Sequence, residues 1–404
     1  MSRTVVMLSL CVAVLSFASP ASAQKNGLTP STAVAPATDA GGHAISAGQA
    51  VANSDLATFT YTVTSSRDAN TYTGAMVGQD PFGSGFSTTV IDTPIIPVIL
   101  ITNTIAVASP NGKILTTKPG VTVFNPTAPD DVCLKSPNDV PLTLMIQSPL
   151  FQAEPFTFGS TDVGTTQYVD AFQRGNFWSL VGGTSYHTIL RPHVLSPVVV
   201  NLPGKQGLAG SFVGACGPLA IVNFTVMKQQ IFNKLLAFES ANIDSSKFPI
   251  FLFYNTVMAA NSAGGSKCCI LGFHAAVAAG KKARVQTYAF IDFEASGAFI
   301  PSIHDTSIAA HEIGEWMDDP FGNNPTPAWG HTGQVGGCQN NLEVGDPLTG
   351  TNVPTVTGAN GFAYHLQELA FFSWFYGAPS IAANGWFSDN NTFKTDAGPV
   401  CTKH

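Results

Sequence analysis

From Val285 to Phe393 the chain has no lysine or arginine, yet that span holds eleven acids: Asp292, Glu294, Asp305, Glu312, Glu315, Asp318, Asp319, Glu343, Asp346, Glu368 and Asp389. A carboxylate taken out of water without a partner is costly. The fold must therefore leave these groups in water, bring a remote lysine or arginine to them, or gather them around a cation. The sharpest case is His311-Glu312-Ile313-Gly314-Glu315, followed at once by Asp318 and Asp319. Like charges this close on one helix repel. The plain alternative is a solvated acidic face on which His311 merely packs.

Asp305 or Thr306 can cap a helix running to about Met317, and Pro320 stops it. Residues four apart stand one above the other on a helix, so His311 and Glu315 can offer an imidazole nitrogen and a carboxylate to one ion. This is the spacing of HExxH zinc enzymes with glutamate in place of the second histidine. Zinc accepts both donor types, and a catalytic site wants three protein ligands plus water. Glu312 is then the expected general base that takes a proton from that water. Glu343, in Asn341-Leu342-Glu343-Val344-Gly345-Asp346, is the expected third ligand. Asp346, Asp319, His365, His274 and His331 stand as alternative ligands or as supports behind the first set. Negative charge in the last turn opposes the helix dipole by roughly 0.3–1 kcal/mol per group, which a divalent cation offsets. Zinc is the expected metal, with calcium the alternative if oxygen ligands dominate.

Residues 1–23 pair one basic residue, Arg3, with the apolar run Val5–Phe17 and the small-residue pattern Ala21-Ser22-Ala23, the pattern of a cleaved signal peptide. No later apolar run approaches the roughly 18 residues of a membrane helix. The expected location is extracellular, or periplasmic in a Gram-negative bacterium. Removing the leader changes the formal charge from −7 to −8, since 17 basic residues then face 25 acids. Such a chain is a poor nucleic-acid binder. Six cysteines remain, an even set suited to an oxidising compartment, and about 15 pairings are open to them. There is no paired CxxC for a zinc ribbon and no GxSxG nucleophile elbow.

Residues 24–55, rich in Ala, Ser, Thr and Gly, read as a flexible lead-in, and 56–404 as a single large loop-rich domain. Alternation over Thr58–Thr64 predicts a strand, as do the apolar runs Pro94–Ile101, Val121–Phe124, Leu142–Ile146, Leu219–Val226, Pro249–Val257 and Gln286–Phe293, while Cys268–Ala276 reads as a short strand or turn. Helices are expected over Gln167–Trp178, Gln229–Phe238 and Ala363–Phe375, and a long irregular loop over Phe321–Gly361. Strands alternating with helices predict an α+β fold, a mixed β-sheet with packed helices.

Four segments together resemble the EXORDIUM or phosphate-induced protein family of secreted proteins and its bacterial relatives. They are Cys269-Ile270-Leu271-Gly272-Phe273-His274; Ala310-His311-Glu312-Ile313-Gly314-Glu315 with Asp319-Pro320; Trp329 with Glu343-Val344-Gly345-Asp346; and the aromatic stretch Phe372–Phe375 with Cys401. The resemblance covers roughly the last third of the chain and implies secretion and a retained histidine and glutamate site. The helix itself is similar to the motif helix of zincin metallopeptidases. The resulting expectation is a secreted zincin-like hydrolase acting on a peptide or cell-surface polymer. The alternative is a non-catalytic extracellular or cell-surface binding protein with a structural ion.

Overall fold

The structure is a computed structural model that describes residues 31–32, 35–38, 45–108, 114–134, 136–204, 206–212, 214–228, 235–236, 239, 241–260, 268–279, 284–330, 338–377, 383–393 and 401. The expected signal peptide, His331 and most of the helix expected over Gln229–Phe238 lie outside these residues.

Strand outweighs helix, 42% against 18%, so the mixed α+β expectation resolves into a mostly β fold. Seven strands close on themselves: β1 (Thr88–Ala108), β2 (Gly207–Gly210), β3 (Leu219–Asn223), β4 (Ile250–Tyr254), β5 (Thr256–Ala259), β6 (Cys268–Ala279) and β7 (Arg284–Phe293). Around the ring the order is β6-β5-β3-β2-β1-β4-β7 and back to β6. The β6–β5, β3–β2 and β7–β6 pairs are antiparallel and the rest parallel. β4 reads Ile-Phe-Leu-Phe-Tyr and is buried at every position, as a strand covered on both faces must be. Its alternate residues divide between two cores. Phe251 and Phe253 join Ile96, Val98, Ala220, Phe273 and Phe290 in one apolar cluster. Ile250 and Leu252 face the other way, into a larger cluster that includes Ile308, Ile313 and Trp316.

Two helices line that second cluster. α1 (Tyr168–Asn176) contributes Tyr168, Val169 and Phe172 to it and is buried at every position. α2 (Ser307–Asp318) packs on β6, β7 and α1, with all of its residues buried. Trp316 stacks on Phe248 at 3.7 Å between ring centroids. Gly272 lets β6 approach: a Cβ there would lie 2.7 Å from Ile308 Cγ2 and 2.6 Å from Glu312 Oε1.

Several expectations are corrected. Leu142–Ile146 lies in a helix, Pro141–Gln147, because Pro141 at its start needs no N–H partner and presets φ. Ala363–Phe375 is no continuous helix: Ala363–His365 is a strand paired with Thr355–Thr357, and only Phe372–Tyr376 is helical. Between them the backbone bonds outward, Leu366 N–H to Pro354, Glu368 to Asn352, Ala370 to Val344 and Phe371 to Phe387, so tertiary partners override local propensity. The expected flexible lead-in contributes Ser31–Thr32 and Ala35–Thr38, both paired with β6, and a helix over Ala47–Ala52 closed by a Ser46–Gln49 capping box. Backbone pairing and capping need no large side chains. Phe321–Gly361 is irregular only in part, since Pro325–Gly330 pairs with Cys338–Asn341.

The cysteines pair as Cys133–Cys216, Cys268–Cys269 and Cys338–Cys401. Among the described residues no helix is long and apolar enough to cross a membrane.

Candidate metal centre

The acids of α2 do not face water. His311, Glu312, Asp318 and Asp319 are fully buried and Glu315 is 1% exposed, which rules out a solvated acidic face. Three elements meet here: α2, the β6 segment Gly272–His274 and the turn Glu343–Thr349.

Toward the turn, His311 Nε2 lies 2.8 Å from Glu315 Oε1 and 3.6 Å from Asp346 Oδ1. The other ring nitrogen fixes the tautomer. Gln367 gives its amide N–H to the Gly345 carbonyl at 2.7 Å, which leaves its Oε1 to accept from His311 Nδ1 at 3.1 Å. Thr349 Oγ1 stands 3.3 Å from the same nitrogen and itself donates to the Gly345 carbonyl. With the proton on Nδ1, the Nε2 lone pair faces the two carboxylates, and Nε2 makes no hydrogen bond despite its closeness to Glu315. Gly345 is required for this approach, since a Cβ there would sit 2.5 Å from His311 Nδ1.

Toward the sheet the pattern repeats. His274 Nε2 donates to the Asp319 carbonyl at 3.1 Å. Its Nδ1 lone pair then faces Glu312 Oε2 at 3.5 Å and Glu315 Oε2 at 3.7 Å. His274 Nδ1 and both Glu312 oxygens are buried without a hydrogen-bond partner. Burial pushes the His274 imidazole down to about 3, so it is neutral. Burial, reinforced by neighbouring carboxylates, raises Glu312, Glu315 and Glu343 well above the usual carboxylate range.

Lone pairs and carboxylate oxygens thus converge twice with no Lys or Arg among them. Two triads of donor atoms result, His274–Glu312–Glu315 and His311–Glu315–Asp346, each within 4.8 Å and each able to hold a metal ion.

The remaining expected residues take other positions. Glu343 is buried against Glu315 and accepts from Asn341 Nδ2 at 2.8 Å, beside the triads rather than in them. Asp319 accepts the Asn323 and Asn324 N–H groups at 3.0 and 2.9 Å, closing the turn after α2. His365 is half-buried, donates Nδ1–H to Asp305 at 2.6 Å and stacks on His304 at 4.2 Å, outside both triads. Asp305 does not cap α2 by its side chain, and neither does Thr306, the N-cap residue. Instead Asp305 holds the Thr306 and His365 N–H groups. Sequence reasoning missed Gln367, Thr349, Gly272 and Gly345. For β6 a signal existed: in Gly-Phe-His the glycine and histidine share a strand face, and a glycine opposite a polar helix position leaves room for its side chain.

No protein-family model matches the chain, and no curated protein or solved structure matches it. Fold and site define a mostly β protein with buried histidine–carboxylate groups able to hold a metal ion.

Proposed function

We propose that this is an exported metalloprotein that binds a first-row transition metal, zinc foremost, in a closed site between α2, β6 and the Glu343–Thr349 turn. The observation that carries the reading is the pair of buried imidazole nitrogens, each with its proton fixed on the far side and its lone pair aimed at carboxylates. Imidazole nitrogen beside carboxylate oxygen suits zinc and its neighbours better than calcium, which takes oxygen ligands. Closure favours a structural role, because catalytic zinc keeps a position open to water and substrate. A surface cavity lined by Asn138, Thr143, Gln147 and Phe362 involves none of these ligands.

A second reading, a zincin-like hydrolase of a peptide or cell-surface polymer, has one observation in its favour: both oxygens of Glu312 lack hydrogen-bond partners, and the His311–Glu315–Asp346 triad does not use them. A bound zinc ion would supply Lewis-acid activation of water, and in this reading Glu312 would take the proton. Metal analysis of the purified mature chain, alongside broad peptide-cleavage assays of the wild type and Glu312→Gln, separates the readings. Bound zinc without cleavage supports the structural role. Cleavage lost in a Glu312→Gln protein that keeps its zinc supports the hydrolase, and no transition metal after refolding with zinc refutes both.

A further inference from the structure

We infer that the site holds two divalent cations, bridged by the Glu315 carboxylate, one ion on the sheet side and one on the turn side. The inference rests on the metal-binding reading above and adds the number and arrangement of the ions.

The two oxygens of Glu315 point to different histidines. Oε1 lies 2.8 Å from His311 Nε2, and Oε2 lies 3.7 Å from His274 Nδ1. Each histidine has its own second carboxylate, Asp346 for His311 and Glu312 for His274. The helix enforces this division. His311 and Glu315 share one line, while Glu312 is turned about 100° away, toward β6.

A single ion does not reach all of these donors. No described set of donors lying within 4.8 Å of one another contains both histidines. Two ligands of one ion stand at most about 4.2 Å apart, twice a zinc–nitrogen distance. One ion would therefore leave one buried imidazole lone pair facing bare carboxylates.

Glu312, Glu315 and Asp346 supply three carboxylates to the two triads, with no Lys or Arg in either. A carboxylate that gives one oxygen to each ion suits the roughly 3.5–4 Å spacing of two-metal sites.

The test is metal stoichiometry on the full mature chain, stripped with chelator and reloaded with zinc or with manganese(II). Two ions per chain, and an exchange-coupled manganese(II) resonance spectrum, are expected. His274→Gln and Asp346→Asn should each halve the metal content and abolish the coupling. One ion per chain in the wild type, with an uncoupled manganese spectrum, would overturn the pair while leaving the metal reading intact. No ion at all would overturn both. Circular dichroism and melting show whether each variant is folded, and the wild-type stoichiometry and spectrum decide the question if a variant is not.

Discussion

Replacing Gly345 by alanine tests how the turn holds His311. The new Cβ would fall 2.5, 2.6 and 2.7 Å from the Nδ1, Cγ and Cε1 atoms of a fully buried ring. Ordinary contact needs at least about 3.4 Å, so the ring must retreat by roughly 1 Å into a packed interior. Such overpacking costs about 1–3 kcal/mol. The retreat also breaks the bond from Nδ1 to Gln367, worth about 0.5–1.5 kcal/mol. The sum, about 1.5–4.5 kcal/mol, corresponds to a melting point lower by roughly 2–6 °C for a chain of this size. Disturbing a ligand and its orienting partner should weaken zinc binding about 10–100-fold. Urea unfolding of the metal-free protein reads the first effect and calorimetric zinc titration the second. Gly48→Ala is the control, since a Cβ there meets nothing within 4 Å. A Gly345→Ala protein that unfolds and binds zinc like the wild type would show that the turn does not hold His311 as described.

Zinc at about 100 times its dissociation constant should stabilise the fold by about 2.7 kcal/mol, and chelator should reverse this in a melting scan. Glu315→Gln should abolish the shift, since Glu315 belongs to both triads; a shift of wild-type size would remove Glu315 from the ligand set. Asp292 and Glu294 are both buried, and burial raises Asp292, with the Glu294 charge adding to it, well above the usual range and Glu294 up to about 7. A raised folded pKa means that the protonated pair's stabilisation is complete below about pH 4 and is lost as pH rises through about 7. Glu294→Gln should flatten the decline in urea midpoint between about pH 4.5 and about pH 7, and an unchanged slope would argue against a proton held by Glu294 in the fold. Cys338–Cys401 closes a separation of 63 residues. Replacing both cysteines by serine should cost up to about 4 kcal/mol in denaturant unfolding, and no loss would mean that the link constrains nothing.

Several strands were legible because alternation or a short apolar run marks them locally. Thr58–Thr64 is a strand with the expected bounds, and Gln286–Phe293 needs only two residues added at its start. Leu142–Ile146 was not legible, because a short apolar run is the same string in a strand and in a buried helix turn. Ring closure depends on pairings such as β2 with β1, about a hundred residues apart, and no local pattern encodes them. At the site, helix spacing brought out His311 and Glu315. The choice between Glu343 and Asp346 turns on which side chain a non-periodic turn aims at α2. Gln367 was hidden in a run that reads as helix, and its role appears only when that segment is extended against the turn.

The long strand Thr88–Ala108 bears on how the chain reaches this state. Besides β2 and β4 it pairs with Ile114–Phe124, His187–Val194 and Val198–Leu202. Only Ile114–Phe124 is near in sequence, and the last partner to emerge from the ribosome ends at Tyr254. Closing loops of that length before contacts reward it makes folding slow. During synthesis this apolar strand must wait with one hairpin partner while about sixty further residues are made before His187–Val194 begins, the interval in which an unpaired edge is open to aggregation and to chaperones.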